Sequence, residues 1–235
     1  MKAFSIGKVY VNGNMEKVVE INPLPENYCS FDCVFCPFGR TQVKTDQIFD
    51  FKEMEAFLGN LEELLKDQLI DLVFINPDGE LLANGRILEV INLIKKYAVK
   101  VKIISNGYLF NRDAYKEILN HCDRVIGELA VTSEEHFQKT QRPLQGYTFK
   151  EYVSNMEKFN KQYTGKFILD ITILKNYSDG NESVERFKEI IRRIKPAGII
   201  VQTPEEGELK EAFGVDEARL EEIEKQLNMT LSIEK

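Results

Sequence analysis

Short apolar runs alternate with longer amphipathic ones along most of the chain. The apolar runs are VVEIN (18–22), IDLVFIN (70–76), VKVKIIS (99–105), RVIGELAV (124–131), FILDITIL (167–174) and AGIIVQT (197–203). They are short and rich in β-branched residues, which predicts strands buried on both faces. Segments 52–68, 86–98, 112–122, 149–163 and 182–195 lie between them, and 216–228 follows the last. These place apolar residues three and four apart, which predicts amphipathic helices.

Six strand–helix units in alternation predict parallel strands joined by right-handed crossovers. Six strands are too few to close an eight-stranded barrel. The expected fold is therefore α/β, an open (β/α)6 partial TIM barrel, with a Rossmann-like open sheet as the alternative. The opening FSIGKVYVNGN alternates like a strand and carries Asn12-Gly13, which predicts a hairpin with the first barrel strand. No Pro/Gly/Ser-rich linker or low-complexity run divides the sequence, so a single domain over residues 1–235 is expected. In either architecture the chemistry belongs at the carboxyl ends of the strands.

Composition narrows the function classes. Apolar residues make up 43% of the chain, enough for a sizeable core. The 31 basic and 38 acidic side chains give a net charge of −7, which argues against a large phosphate-binding face. RNA is accordingly not a favoured partner. No run approaches the length of a membrane span, and the first residues lack a signal-peptide pattern. A cytoplasmic protein with no membrane partner is expected. In that reducing compartment, clustered cysteines serve more often as metal ligands or redox groups than as disulfides.

Such a cluster follows the first apolar run, in YCSFDCVFCPFGRT (28–41). Cys29, Cys33 and Cys36 are spaced Cys-x3-Cys-x2-Cys. The remaining cysteine, Cys122, ends a predicted helix beside His121, where both residues pack or cap the helix end. Zinc sites usually assemble four Cys or His ligands. Structural zinc on the three cysteines, with His121 as fourth ligand, is the alternative reading. Three thiols with no obvious fourth suit a cubane iron–sulfur cluster with one iron left open.

CSFDCVFC, including the aromatic Phe35 before its last cysteine, resembles the CxxxCxxC motif of the radical S-adenosylmethionine (SAM) superfamily. The resemblance implies that Cys29, Cys33 and Cys36 each ligate one iron of a 4Fe–4S cluster, and that the fourth iron chelates SAM. A one-electron donor such as flavodoxin or ferredoxin would drive cleavage of SAM to methionine and a hydrogen-abstracting 5′-deoxyadenosyl radical. Other strand ends carry further likenesses. Asp78-Gly79-Glu80 resembles the family's GGE segment, which implies that Glu80 holds the SAM amino group. Ser105-Asn106-Gly107 resembles the TNG or SNG segment that lines the ribose and adenine. ELAVTSEEHFQKTQRP (128–143) is similar to the family's fourth-strand segment and matches it at Arg142-Pro143. Glu128 and Ala130 stand there in place of Ser and Asp, which leads us to expect Glu128 in the ribose-binding role.

CPFGRT, Arg142-Pro143 and VQTP (201–204) further resemble the wyosine-synthetase-like subgroup. Glu205-Glu206-Gly207 stand where those relatives often have Arg-Pro-Pro, which weakens any hold on an RNA backbone. The remaining basic residues near the expected mouth are Arg40, Lys44 and Lys175, and the acidic C-terminal stretch reads as a solvated helix face. The implied function is a radical SAM enzyme acting on a small-molecule or nucleoside-type substrate. A glycyl-radical activase working on a partner protein and a non-catalytic zinc- or iron-binding module are the alternatives.

Overall fold

The computed structural model describes residues 4–67 and 69–233. Strands β1 (Ser5–Ile6) and β2 (Tyr10–Val11) run antiparallel along one edge of β3 (Lys17–Asn22). Together they form the expected hairpin. Its turn is held by Asn12, whose Oδ1 accepts the backbone N–H groups of Asn14 and Glu16 at 2.9 Å each. The arrangement also covers an edge that would otherwise offer unpaired backbone groups. Strands β4 (Tyr28–Cys29) and β5 (Val43–Lys44) form a separate parallel pair. The main sheet continues through β6 (Leu72–Ile75), β7 (Lys100–Ser105), β8 (Arg124–Leu129), β9 (Lys166–Thr172) and β10 (Gly198–Gln202).

The spatial order is β1-β3-β6-β7-β8-β9-β10, with the last six parallel. This is the open partial TIM barrel anticipated from the six strand–helix units. Helices α1 (Met54–Asp67), α2 (Ile87–Lys96) and α3 (Asp113–Asn120) follow β5, β6 and β7. The short α4 (Glu134–His136) and α5 (Phe149–Asn160) follow β8, α6 (Asn181–Ile194) follows β9, and α7 (Gly207–Phe213) and α8 (Glu217–Ile233) follow β10. In α1 the residues Met54, Phe57, Leu61 and Leu65 are buried, the three- and four-residue spacing of a core-facing stripe. Each such side chain contributes roughly 1.5–3 kcal/mol on burial.

Alternation along the strands sorts side chains between two layers. Val19, Ile21, Val73, Ile75, Val101 and Ile103 join the large core shared with the helices. Val18, Leu72, Phe74 and Ile126 form a smaller cluster on the other face, joined by Ile104 and Ile168. Two residues further along that second face the character changes: Glu128 follows Ile126 and Asp170 follows Ile168. The concave face is thus apolar in its middle and polar toward the carboxyl ends. No described helix is long and apolar enough to cross a membrane.

Two features depart from the expected pattern. Helix α7 has no buried residue, so it leaves no apolar stripe by which to recognise it. A π-helical turn at Phe137–Gln141 interrupts the segment after β8 and ends at Arg142 in the left-handed conformation (φ 42°).

Candidate active site

Cys29 lies in β4, and Cys33 and Cys36 follow in the loop that β4 and β5 close at its base. Thr45 donates its N–H to the Cys29 carbonyl (2.8 Å), and Gln42 and Val43 donate theirs to the Asn27 carbonyl (3.1 and 3.2 Å). The loop then docks on the π-helical turn. Asp32 and Val34 donate to the carbonyls of Gln141 (3.0 Å) and Thr140 (2.8 Å), and Leu144 donates to that of Ser30 (2.9 Å). Phe31 is the apolar anchor, 1% exposed, with edge-on contacts to Tyr108, Phe137 and Tyr152. Arg40 clasps the buried Asp32 at 2.5 Å, and Thr41 gives its hydroxyl to the Phe31 carbonyl (2.6 Å). Packing and backbone bonds therefore hold the loop from both flanks.

The three cysteines open onto a cavity of about 250 Å³ at the carboxyl ends of the strands. Phe35, Gly79, Glu80, Ser105, Asn106 and Glu128 share its lining. Asp78, Gly107 and Arg142 do not. Asp78 instead exchanges hydrogen bonds with Asn22 beneath the loop: its carboxylate accepts from Asn22 Nδ2 (2.9 Å), and its N–H donates to Asn22 Oδ1 (3.2 Å). Gly107 sits behind the wall at φ 84°, close to Met156, and Arg142 is exposed. His121 caps the end of α3 and accepts no role at the cavity, while Cys122 is buried in the core with its thiol toward the Ile118 carbonyl.

Glu80 is 2% exposed and accepts three hydrogen bonds. The donors are Leu82 N–H (3.2 Å), Ser105 Oγ (2.8 Å) and Asn106 N–H (3.1 Å). Burial raises its pKa against the pull of those donors. Its own N–H bonds the Tyr28 carbonyl at 2.7 Å, which joins the end of β6 to the start of the cysteine loop. Gly79 permits this approach, because a Cβ there would collide with the Tyr28 carbonyl. Gly79→Ala is expected to lower stability by roughly 1–3 kcal/mol, as overpacking does. An unchanged urea midpoint would show that the loop yields freely.

Glu128 and Asp170 face each other across β8 and β9. Gln202 on β10 donates its amide to both Asp170 oxygens (2.9 and 3.0 Å). Glu128 opens onto the cavity, and among the described residues only its backbone carbonyl is engaged, by the Tyr152 hydroxyl. Its side chain stays solvent-accessible in the open cavity, and the surrounding walls displace only part of its hydration. That loss, with the negative charges of Asp170 and Glu80, pushes its pKa up to about 8. Burial likewise lifts Asp170 to about 6, opposed by Gln202 and Lys102.

Burial also raises the pKa of all three loop thiols. Phe31 N–H and the Asn106 amide reach the Cys29 sulfur at 3.4 and 3.7 Å and oppose the rise there. At Cys36 the opposing groups are the Phe38 N–H and the Asn27 amide. A cation bound beside such thiols would favour their thiolate form. No three His, Cys, Asp or Glu side chains among the described residues converge where one metal ion could be held.

Asn27, Gln141, Asp170 and Thr172 carry no motif that marks them in the sequence, and Gln202 stands out there only as part of VQTP. Thr172 and Gln202 sit at strand ends and line the cavity, so position alone could have found them. Asn27 and Gln141 line it too, but only through tertiary pairing of the loop with the π-helical turn.

Comparison with known proteins bears on this site. A family model for the Radical SAM superfamily matches residues 25–187. A UPF0026 protein of Methanocaldococcus jannaschii is 25% identical over 191 residues, covering 80% of this chain and 60% of that protein. The chain therefore spans about 60% of that relative's length. The solved structure of TYW1 with a lysine-pyruvate adduct bound has a TM-score of 0.67 at 15% identity, over 90% of this chain and 73% of that one. SuiB of Streptococcus suis, bound to S-adenosylmethionine, has a TM-score of 0.63 at 16% identity, over 89% and 43% of the two chains. At those identities both likenesses speak for the fold. The family match covers more than half of the chain and contains the whole cysteine loop, and on that ground the protein belongs to the radical SAM superfamily.

Proposed function

We propose that this radical SAM enzyme holds one 4Fe–4S cluster on Cys29, Cys33 and Cys36, binds SAM beside it, and abstracts hydrogen from a small-molecule or nucleoside-type substrate. The observation that carries the reading is the meeting of three loop thiols and the buried Glu80 carboxylate in one cavity at the strand ends. The donor set fits the group. Thiols that each ligate a different iron sit farther apart than the ligands of a single ion, in keeping with the lack of a one-ion site among the described residues. The same observation weighs against structural zinc on these cysteines with His121. When bound, the cluster supplies the electron that splits the sulfonium of SAM into methionine and the hydrogen-abstracting radical.

The chain's own residues do the positioning. Glu80 has three neutral donors and no cationic partner among the described residues, so an ammonium group completes its shell. Ser105 and Asn106 keep that carboxylate aimed, and Asn106 also reaches Ser30 and Cys29 in the loop. Glu128, whose side chain has no hydrogen-bond partner among the described residues, is assigned to the SAM ribose hydroxyls, with the small Ala130 leaving room beside it. A SAM-bound crystal structure with the Glu128 carboxylate beyond about 3.5 Å of every ribose oxygen would remove it from that role. Glu205 and Glu206 are exposed after β10, which keeps RNA a disfavoured substrate. We read residues 1–235 as one domain.

The test of the substrate class uses candidate molecules deuterated at activated C–H positions. Deuterium in 5′-deoxyadenosine from a nucleoside or other small molecule supports the reading. Deuterium arriving only from a glycine-labelled partner protein would favour a glycyl-radical activase instead.

A further inference from the structure

Two buried side-chain atoms among the described residues have no hydrogen-bond partner, Asn27 Nδ2 and Gln141 Oε1, and both residues line the cysteine cavity. Asn27 is 2% exposed. Its backbone is already committed: the carbonyl accepts from Gln42 and Val43, and the N–H donates to Gln42 Oε1 at 3.2 Å. The side-chain Nδ2 makes none of these bonds. A buried donor left unpaired is costly and calls for an acceptor. Asn27 and Cys36 line the same cavity, and the amide favours the Cys36 thiolate, although Nδ2 meets no hydrogen-bond geometry to any acceptor among the described residues.

We propose that Asn27 donates its amide hydrogen to the Cys36 sulfur once that sulfur carries iron, and thereby raises the reduction potential of the cluster. This rests on the cluster reading given above. Adding one electron to an iron–sulfur centre places part of the new negative charge on its cysteine sulfurs. A donor beside a sulfur stabilises the reduced form more than the oxidised form, so the potential rises. The loop already treats Cys29 this way, through Phe31 N–H and the Asn106 amide. The Cys33 thiol instead points at the Gln141 carbonyl (3.8 Å), which offers it no donor. Asn27 is thus a positioning residue that would make Cys36 the second sulfur with a side-chain donor. The carboxylate of SAM is the competing acceptor, and the experiment separates the two.

The experiment is an equilibrium redox titration of the reconstituted, SAM-free protein, followed by electron paramagnetic resonance of the reduced cluster. In Asn27→Leu the ratio of reduced to oxidised cluster at a fixed potential is expected to fall about tenfold, which is 59 mV for a one-electron couple. Asn27→Asp, which places an acceptor and a charge at the same point, should shift it further in the same direction. The wild-type cluster should also couple to a proton exchangeable in D2O that is absent from Asn27→Leu. Full iron content with an unmoved potential in both variants overturns the inference. So does an unmoved potential with weakened SAM binding, which would assign the amide to the SAM carboxylate. If Asn27→Leu assembles no cluster, the Asp variant and the wild-type proton coupling decide between these outcomes. Failure of the wild-type chain itself to assemble a cluster would sink the underlying reading as well.

Discussion

Alanine at Cys29, Cys33 or Cys36 is expected to abolish the cluster outright, taking iron from about four atoms per chain to near zero after anaerobic reconstitution. A cubane held by three protein thiolates has no spare ligand, and each of these thiols faces the same cavity. Metal binding takes the thiols as thiolates, so losing one removes both a bond and the charge that offsets the iron. Because bound metal adds to stability by mass action, the three variants should also lose the rise in melting temperature that reconstitution gives the wild type. Cys122→Ala is the internal control. Cys122 lies in the helix core, away from the cavity, so its iron content should match the wild type. Retention of the cluster in Cys33→Ala, with its loss in Cys122→Ala, would overturn the assignment.

The second large effect belongs to Glu80. Glu80→Gln keeps the volume and leaves one oxygen for the surrounding donors, so the fold and the cluster should survive. It removes the charge that answers an ammonium, worth roughly 1.5–3 kcal/mol, so SAM affinity should fall tenfold or more. Glu80→Ala is harsher, since it strands the donors of Leu82, Ser105 and Asn106 at roughly 1–3 kcal/mol for each left unsatisfied. Acidification offers an independent check. Burial raises the Glu80 pKa, so the carboxylate accepts its proton at a higher pH than a free one does. If SAM binds the ionised form, affinity should begin to fall on acidification above the ordinary carboxylate range, and Glu80→Gln should lose that dependence. Equal SAM affinity in wild type and fully reconstituted Glu80→Gln would remove Glu80 from the site.

Much of this architecture is readable from local pattern. Short β-branched apolar runs mark the six parallel strands, as burial on both faces demands, and three- and four-residue apolar spacing marks the helices that bury a stripe. Position at the strand ends then brings Cys29, Cys33, Cys36, Gly79, Glu80, Ser105, Asn106 and Glu128 to one cavity. The unread part is tertiary. Nothing in YCSFDCVFC announces that Asp32 and Val34 will pair with carbonyls more than a hundred positions downstream. Asn27 and Gln141 acquire their place at the cavity only through that docking. Asp78, Gly107 and Arg142 match a motif by position yet lie off the cavity wall, since each adjoins a lining residue without sharing its direction. Asp78 supports the loop from below, Gly107 turns the chain at positive φ, and Arg142 ends the π-helical turn.

The most direct test of the account is anaerobic turnover of the reconstituted chain with SAM and a low-potential reductant, following 5′-deoxyadenosine and methionine together. The account predicts one 4Fe–4S cluster per chain and equal amounts of the two products, with neither formed by the Cys29, Cys33 or Cys36 variants. Intact SAM in the presence of a fully assembled, reducible cluster, or a chain that binds only zinc, would contradict it.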